Sequence, residues 1–358
     1  MEQNFPRIQE IAGKISGAEL RRKRLARFLK DGEKGFGLTF PSAKTILDGV
    51  SIAGVDGGIV KRSLHGFDFV LARAVGVCFR YDKGRPSKVE YHPERTPSPE
   101  LFALEALSES DWPQSASVIR QKLEIRAATE TAERFVPDLL LLDGSLIPHY
   151  SDRPGKISKV RESYDELICS YSKLFDVCTA RGIMLAGVIE DSRGTRFCEI
   201  ARTKVERMDA VKFPEIDAQL EGARDTSLLF WLLDEGERTI AFPYSSASED
   251  HPVMKDFGKV ADRVFSFYLK TAKFDRPVRI DFLCGENGDC EKEADRLAGF
   301  ILSIASHHSG YGFPSVLIEA DQAAKLEDGD IEGVYEQILA QTGPLPGVAK
   351  LRRDDRPF

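Results

Sequence analysis

The chain lacks the marks of a membrane protein, a secreted disulfide scaffold or a zinc module. No apolar stretch among its 358 residues approaches the roughly 20 that span a bilayer, which excludes an apolar transmembrane helix. The opening "MEQNFPRIQE" has no basic segment followed by an apolar one, so no secretory signal is read there and a cytoplasmic protein is expected. The six cysteines, Cys78, Cys169, Cys178, Cys198, Cys284 and Cys290, show no C-x-x-C spacing, and reduced thiols are expected. The one close pair, "CGENGDC", reads as a turn. His307 and His308 are adjacent, point in different directions on a helix and read as a solvated helix end rather than a metal site. Positive charge is not in excess either: a formal net charge of -7 excludes attraction to nucleic acid by the molecule as a whole and leaves that role to local patches. Internal repeats, low-complexity tracts and local signatures of a Ser-His-Asp or Cys-His set are also missing.

What is present is an ordinary globular composition in a length that suits one large or two ordinary domains. The first forty-odd residues read as helical. Within them "GAELRRKRLARFLKD" gathers Arg21, Arg22, Lys23, Arg24, Arg27 and Lys30 around Leu20, Leu25 and Phe28, which suits a solvated helix face or a phosphate-contacting arm. From Thr45 the texture changes to strands, "TILDGVSIAGVDGG", "FDFVLARAVGVCFRY" and "SKVEYHPE", which predict an antiparallel meander. After the loop "HPERTPSPE", the segment "PQSASVIRQKLEIRAATETAERF" predicts a helix leading into "PDLLLLDGSL", a strand apolar enough to be buried on both faces. A helix over Ser158 to Arg181 and the strand "GIMLAGVIEDSR" follow. Three strands, helix, strand, helix, strand predict an α/β fold with a mixed sheet flanked by helices.

Two strands end alike. Asp56 sits in "GVDGG" and Asp143 in "LLLLDGSL", each beside glycine, which permits a tight turn or the close approach of a ligand to the backbone. If the two strands are neighbours, the carboxylates converge at one edge, where they repel unless a cation sits between them. Oxygen-only ligands favour magnesium or manganese. On the helix before Asp143, Ile125, Ala128, Ala132 and Phe135 form the apolar stripe; Glu124 borders it, and Glu130 falls opposite beside Arg126 and Glu133. Glu124 is therefore the candidate third acid, with an ordinary boundary glutamate as the plain alternative. Asp191 and Asp281 are further acids that suit helix-end or strand-end roles.

Taken together, "GVDGG", "LEIRAATE", "LLLLDGSL", "LAGVIEDSRG", "RDTSLLFWLLDEGERTIAF", "RVFSFYLKTAKFDRPVRIDF" and "GYGFPSVLIEADQAA" resemble, in order and spacing, the motifs of the NurA nuclease family. The resemblance implies a ribonuclease H-like fold over residues 46–358, with a loop insertion at about 244–254, behind an N-terminal helical segment over residues 1–45 that carries the basic patch. It implies metal ligands at Asp56, Glu124, Asp143 and Asp225, with Glu319 where the family usually has a histidine and Glu190 where it usually has a lysine. "ARDTSLL" reads equally as a helix start with Asp225 near its N-cap. The implied reaction is phosphodiester hydrolysis with two manganese or magnesium ions ~4 Å apart. DNA contacts are expected from Arg21, Arg22, Lys23, Arg24, Arg193 and Arg196. The resemblance further implies 5′ to 3′ exonuclease and single-strand endonuclease action, DNA end processing with a HerA-type hexameric translocase ATPase, and a homodimer. For the dimer or partner contacts, "GFDFVLARAVGVCF" and the tail "KLRRDDRPF" are candidates, with a core strand and a solvated terminus as plain alternatives.

Three other readings compete. An actin-like ATPase places Asp-Gly turns at strand ends too, but needs two such halves and a glycine-rich adenosine site. A glycosidase using Asp56 and Asp143 needs an aromatic-rich sugar platform. An adaptor subunit with a weakened site is consistent with Glu190 and Glu319.

Overall fold

The computed structural model describes residues 5–31, 36–209, 214–305 and 307–352. In chain order the elements are α1 (Phe5–Asp31), β1 (Thr39–Pro41), β2 (Ser51–Ser63), β3 (Phe67–Asp82), β4 (Arg85–His92), β5 (Glu100–Glu105), α2 (Asp111–Phe135), β6 (Leu139–Asp143), α3 (Arg161–Arg181) and β7 (Met184–Ile189). They continue with α4 (Arg196–Asp209), α5 (Pro214–Leu220), α6 (Asp225–Leu232), β8 (Glu237–Thr239), β9 (Phe242–Pro243), β10 (Val264–Leu269), β11 (Val278–Leu283), α7 (Cys290–Ala305), α8 (Ser315–Ala324) and α9 (Asp328–Thr342).

These elements fall into two units. One comprises Met1–Thr45, Ile189–Ser246 and Phe265–Pro314; the other comprises Ile46–Val188, Ala247–Val264 and Ser315–Phe358. The N-terminal segment is thus part of a larger unit: Leu25, Ala26 and Leu29 of α1 join Phe197 and Ala201 of α4 and Leu228, Leu229 and Leu232 of α6 in one buried cluster. That unit carries strands in the order β1-β8-β10-β11, with β9 beside β10.

The second unit holds the mixed sheet, in the order β7-β6-β2-β3-β4, with β5 pairing β3. β2 runs antiparallel to β3 along its whole length, whereas β6 is parallel to both β2 and β7. The four leucines of β6 are all buried, as a continuous apolar run demands of a strand covered on both faces. Each contributes ~2 kcal/mol of burial. Residues of opposite parity on β2 meet different helices, Gly57 lying against Glu124 of α2 and Gly54 against Val316 of α8, so helices cover both faces. The segment "GFDFVLARAVGVCF" forms interior strand β3, paired on both sides.

Three features differ from expectation or fall beyond it. β5 was not expected: in "ELFALE" only Phe102 and Leu104 are even half-buried, so the apolar alternation is weak. Two cysteines are not reduced. The "CGENGDC" turn brings the Cα atoms of Cys284 and Cys290 to 5.7 Å, within bridging range, and a disulfide joins them, while Cys78, Cys169, Cys178 and Cys198 are free. Residues 353–358 of the "KLRRDDRPF" tail lie outside the described residues. Among the described residues no helix is long and apolar enough to cross a membrane.

Candidate functional site

Register brings two of the expected acids side by side. β2 and β6 pair in parallel with Val55 opposite Leu142, so Asp56 and Asp143 are the next residues on adjacent strands, which lie ~4.8 Å apart in a sheet. β2 runs on past this point while β6 stops, because Gly144 takes φ 114°, a backbone conformation that L side chains rarely adopt. Asp56 is 8% exposed and accepts the Gly57 backbone N–H through Oδ1 at 2.7 Å. Glu124 arrives from α2. A Cβ at Gly57 would stand 2.5 Å from Glu124 Cγ, so glycine is what lets this side chain lie against β2 at the residue after Asp56. Glu130 points elsewhere and pairs with His92 at 2.8 Å.

A guanidinium lies among these acids. Arg120, one turn before Glu124 on α2, donates to Glu124 Oε1, and its charge also acts on Asp56 and Asp143. Burial pushes the Glu124 carboxyl up to about 8, against the pull of Arg120, and repulsion from Asp56 and Asp143 adds to the rise. Asp56 is also raised, first by burial, with Arg120 opposing and Asp321 adding. Among the described residues no group of three or more His, Cys, Asp or Glu side chains is drawn close enough to hold an ion. In kind, however, the donors fit one. Two aspartates whose charges act on Glu124 make, with it, an oxygen-only set of the kind that suits magnesium or manganese.

Asp225 and Glu319 are engaged otherwise. Asp225, in the first unit, is fully buried and accepts the backbone N–H groups of Phe197 at 3.1 Å and Cys198 at 2.9 Å, in the first turn of α4, and the Tyr268 hydroxyl at 3.0 Å. It thus caps a helix distant in sequence. Glu319, on α8, accepts from the Tyr91 hydroxyl at 2.7 Å and from Arg95 at 3.2 Å. The acid of α8 whose charge reaches Asp56 is Asp321, two residues on, which sequence reasoning did not single out. Arg120 was missed as well, since an arginine four residues before a glutamate on a helix reads as an ordinary surface pair.

Of the basic residues, Arg22 pairs with Glu19, and Lys23 lies over the Trp231 ring at 5.2 Å, while Arg21 and Arg24 are exposed. Arg193 lines a polar pocket with Arg224, Arg276, Ser192, Thr226 and Ser227. Glu190 and Asp191 share the rim, and Asp191 pairs with Arg276 at 2.8 Å. Arg196 is half-buried and bonds Glu199 at 3.2 Å. Asp281 is buried and accepts from Ser266 at 2.6 Å and Arg279 at 2.8 Å.

Comparison with known proteins places this geometry in context. A NurA domain matches residues 50–326. No curated protein matches the chain. Among solved structures, the NurA nuclease from Sulfolobus solfataricus is 15% identical with a TM-score of 0.59, the match covering 95% of this chain and 97% of that one. A NurA bound to dAMP and manganese is 12% identical with a TM-score of 0.55, over 97% of this chain and 99% of that one. At such identities the likeness to the solved structures is one of fold.

Proposed function

The chain belongs to the NurA family, and on that premise we propose that it is a metal-dependent DNA nuclease, hydrolysing phosphodiester bonds at the site of Asp56, Glu124 and Asp143. The observation that carries this reading is the pairing of β2 with β6, which sets Asp56 and Asp143 next to each other on adjacent strands, with Glu124 of α2 near enough for both charges to act on it. The solved NurA with dAMP and manganese supports a deoxynucleotide substrate and manganese as the cofactor, with magnesium as the alternative ion.

Asp56 and Asp143 would hold the ions from the strands, and Glu124 would supply a third carboxylate from α2. Divalent ions, two in this reading, would supply Lewis-acid activation of a water and neutralise the leaving oxygen. Arg193, with Arg224 and Arg276 beside it, and the exposed Arg21, Lys23 and Arg24 suit phosphate contacts, with Arg22 and Arg196 already partnered within the chain. The finer attributes come from the family and belong to the same proposal: 5′ to 3′ exonuclease and single-strand endonuclease action, end processing with a HerA-type hexameric translocase, a homodimer and a cytoplasmic location.

The test is manganese-dependent cleavage of labelled DNA by the wild-type chain and by Asp56→Asn and Asp143→Asn, with circular dichroism to check folding. Full cleavage by either folded variant sinks the site assignment. A second reading, an adaptor with a weakened site, draws support from Glu319, which stands at the family's histidine position and is held by Tyr91 and Arg95. DNA binding without cleavage by the wild-type chain in manganese would favour it.

A further inference from the structure

Arg120 is an unusual neighbour for metal ligands. Its Nη1 donates to Glu124 Oε1, and its positive charge acts on Asp56 and Asp143 as well. A structural arginine elsewhere in the chain shows the contrast. Arg238 is 2% exposed and donates to Asp295, Glu291 and the carbonyl oxygen of Thr239, so its own guanidinium is held away from water. Arg120 keeps 33% of its side chain exposed, against 12% for Glu124, so it is the more accessible member of the pair. The long stem pivots from α2, whereas Glu124 is pinned over Gly57.

Resting on the metal-binding reading of this site, we propose that Arg120 is a displaceable counter-ion: it neutralises the acids in the metal-free protein, and a divalent cation enters by taking its place. The physics is competition between charges. The pair is partly buried, so withdrawing the guanidinium leaves the Glu124 carboxyl without its partner, a cost that the incoming divalent charge offsets. Once displaced it remains tethered near the site and repels the bound ion, most strongly where protein rather than water lies between them. Removing Arg120 therefore strips a stabilising charge from the metal-free state and a competing charge from the metal-bound one.

The experiment is calorimetric titration of the full chain with manganese chloride, together with thermal melts in EDTA, for wild type, Arg120→Gln and Arg120→Lys. Arg120→Gln is expected to melt lower without metal yet bind manganese about tenfold more tightly, which is ~1.4 kcal/mol. Arg120→Lys keeps a charge but loses the planar fork on Glu124, and is expected to gain about threefold. It carries the test if the glutamine variant does not fold. A purely structural arginine would lower the melt and leave affinity equal or weaker. Manganese binding by wild type with no gain in a folded variant overturns the counter-ion role alone. No binding by wild type or variants overturns the metal reading and this proposal with it, whereas binding by a variant alone supports the competition in its strongest form.

Discussion

Buried acids meet opposite fates in the two units. In the first, Asp225 and Asp281 are fully buried and each is matched by donors: two backbone N–H groups and a tyrosine hydroxyl for one, a serine hydroxyl and an arginine for the other. In the second, Asp56 accepts one backbone N–H and Glu124 the Arg120 guanidinium, whose charge also acts on Asp56 and Asp143, and burial pushes Glu124 up to about 8. Burial does not separate the acids that build a fold from those proposed for chemistry, since it is greatest for Asp225 and Asp281. The supply of donors does.

The largest effect that would sharpen this contrast is on catalysis. Asp143→Asn or Asp56→Asn is expected to lower manganese-dependent DNA cleavage by at least about a thousandfold, equivalent to ~4 kcal/mol of transition-state stabilisation, while the melting temperature stays near that of wild type. Asp225→Ala should do the reverse. It strands buried N–H groups at the start of α4 and is expected to cost about 3 kcal/mol in urea denaturation, with manganese affinity of the folded protein unchanged. An Asp225 variant that keeps wild-type stability and loses manganese binding would break the contrast, because a saturated acid would then be a ligand.

A subtler effect follows from proton linkage at Glu124. Its carboxyl is raised from 4.5 to about 8 in the folded protein. Below the lower value both folded and unfolded states hold the proton and nothing is lost. Between the two values the folded state retains a proton that the unfolded state has released, so stability falls as pH rises and the loss is complete above about 8. Glu124→Gln removes this dependence while preserving an acceptor for Arg120. In EDTA, its stability relative to wild type is expected to rise steadily from about pH 4.5 to about pH 8. Parallel pH profiles for the two proteins would show that Arg120 already satisfies Glu124, and the two classes of acid would merge.

Some of this was legible in the chain and some was not, for physical reasons. The run "LLLLD" announces a strand buried on both faces and ending in an acid, because no other local structure hides four consecutive leucines so economically. The helical stripe Ile125, Ala128, Ala132 and Phe135 carries enough phase information to turn Glu124 toward the sheet and Glu130 toward His92. The role of Asp225 was hidden: its position invites a cap for its own helix α6, yet its oxygens cap α4, a pairing set by packing rather than by spacing. The same holds for Arg120, whose partner in sequence is visible at i+4 but whose partners across the sheet are not. β5 was illegible because an edge strand with one half-exposed face needs little apolar alternation.

The smallest expected effect concerns which acid of α8 touches the site. Resemblance to the family implies a metal role for Glu319, which predicts that its loss weakens manganese binding. In the fold Glu319 takes the Tyr91 hydroxyl and Arg95, whereas the charge of Asp321 reaches Asp56 and raises its carboxyl further. The two differ in what a neutral replacement does. Glu319→Gln keeps an acceptor for Tyr91 and should change manganese affinity by less than about twofold, ~0.4 kcal/mol. Asp321→Asn removes a negative charge that favours a cation nearby, and being exposed it should weaken binding by only about threefold at low salt, an effect that shrinks as salt screens it. If calorimetry finds the larger loss for Glu319→Gln, the family's histidine position retains its metal role through oxygen. The supply of donors would then have failed to predict which acids are kept for chemistry, since Glu319 is already supplied.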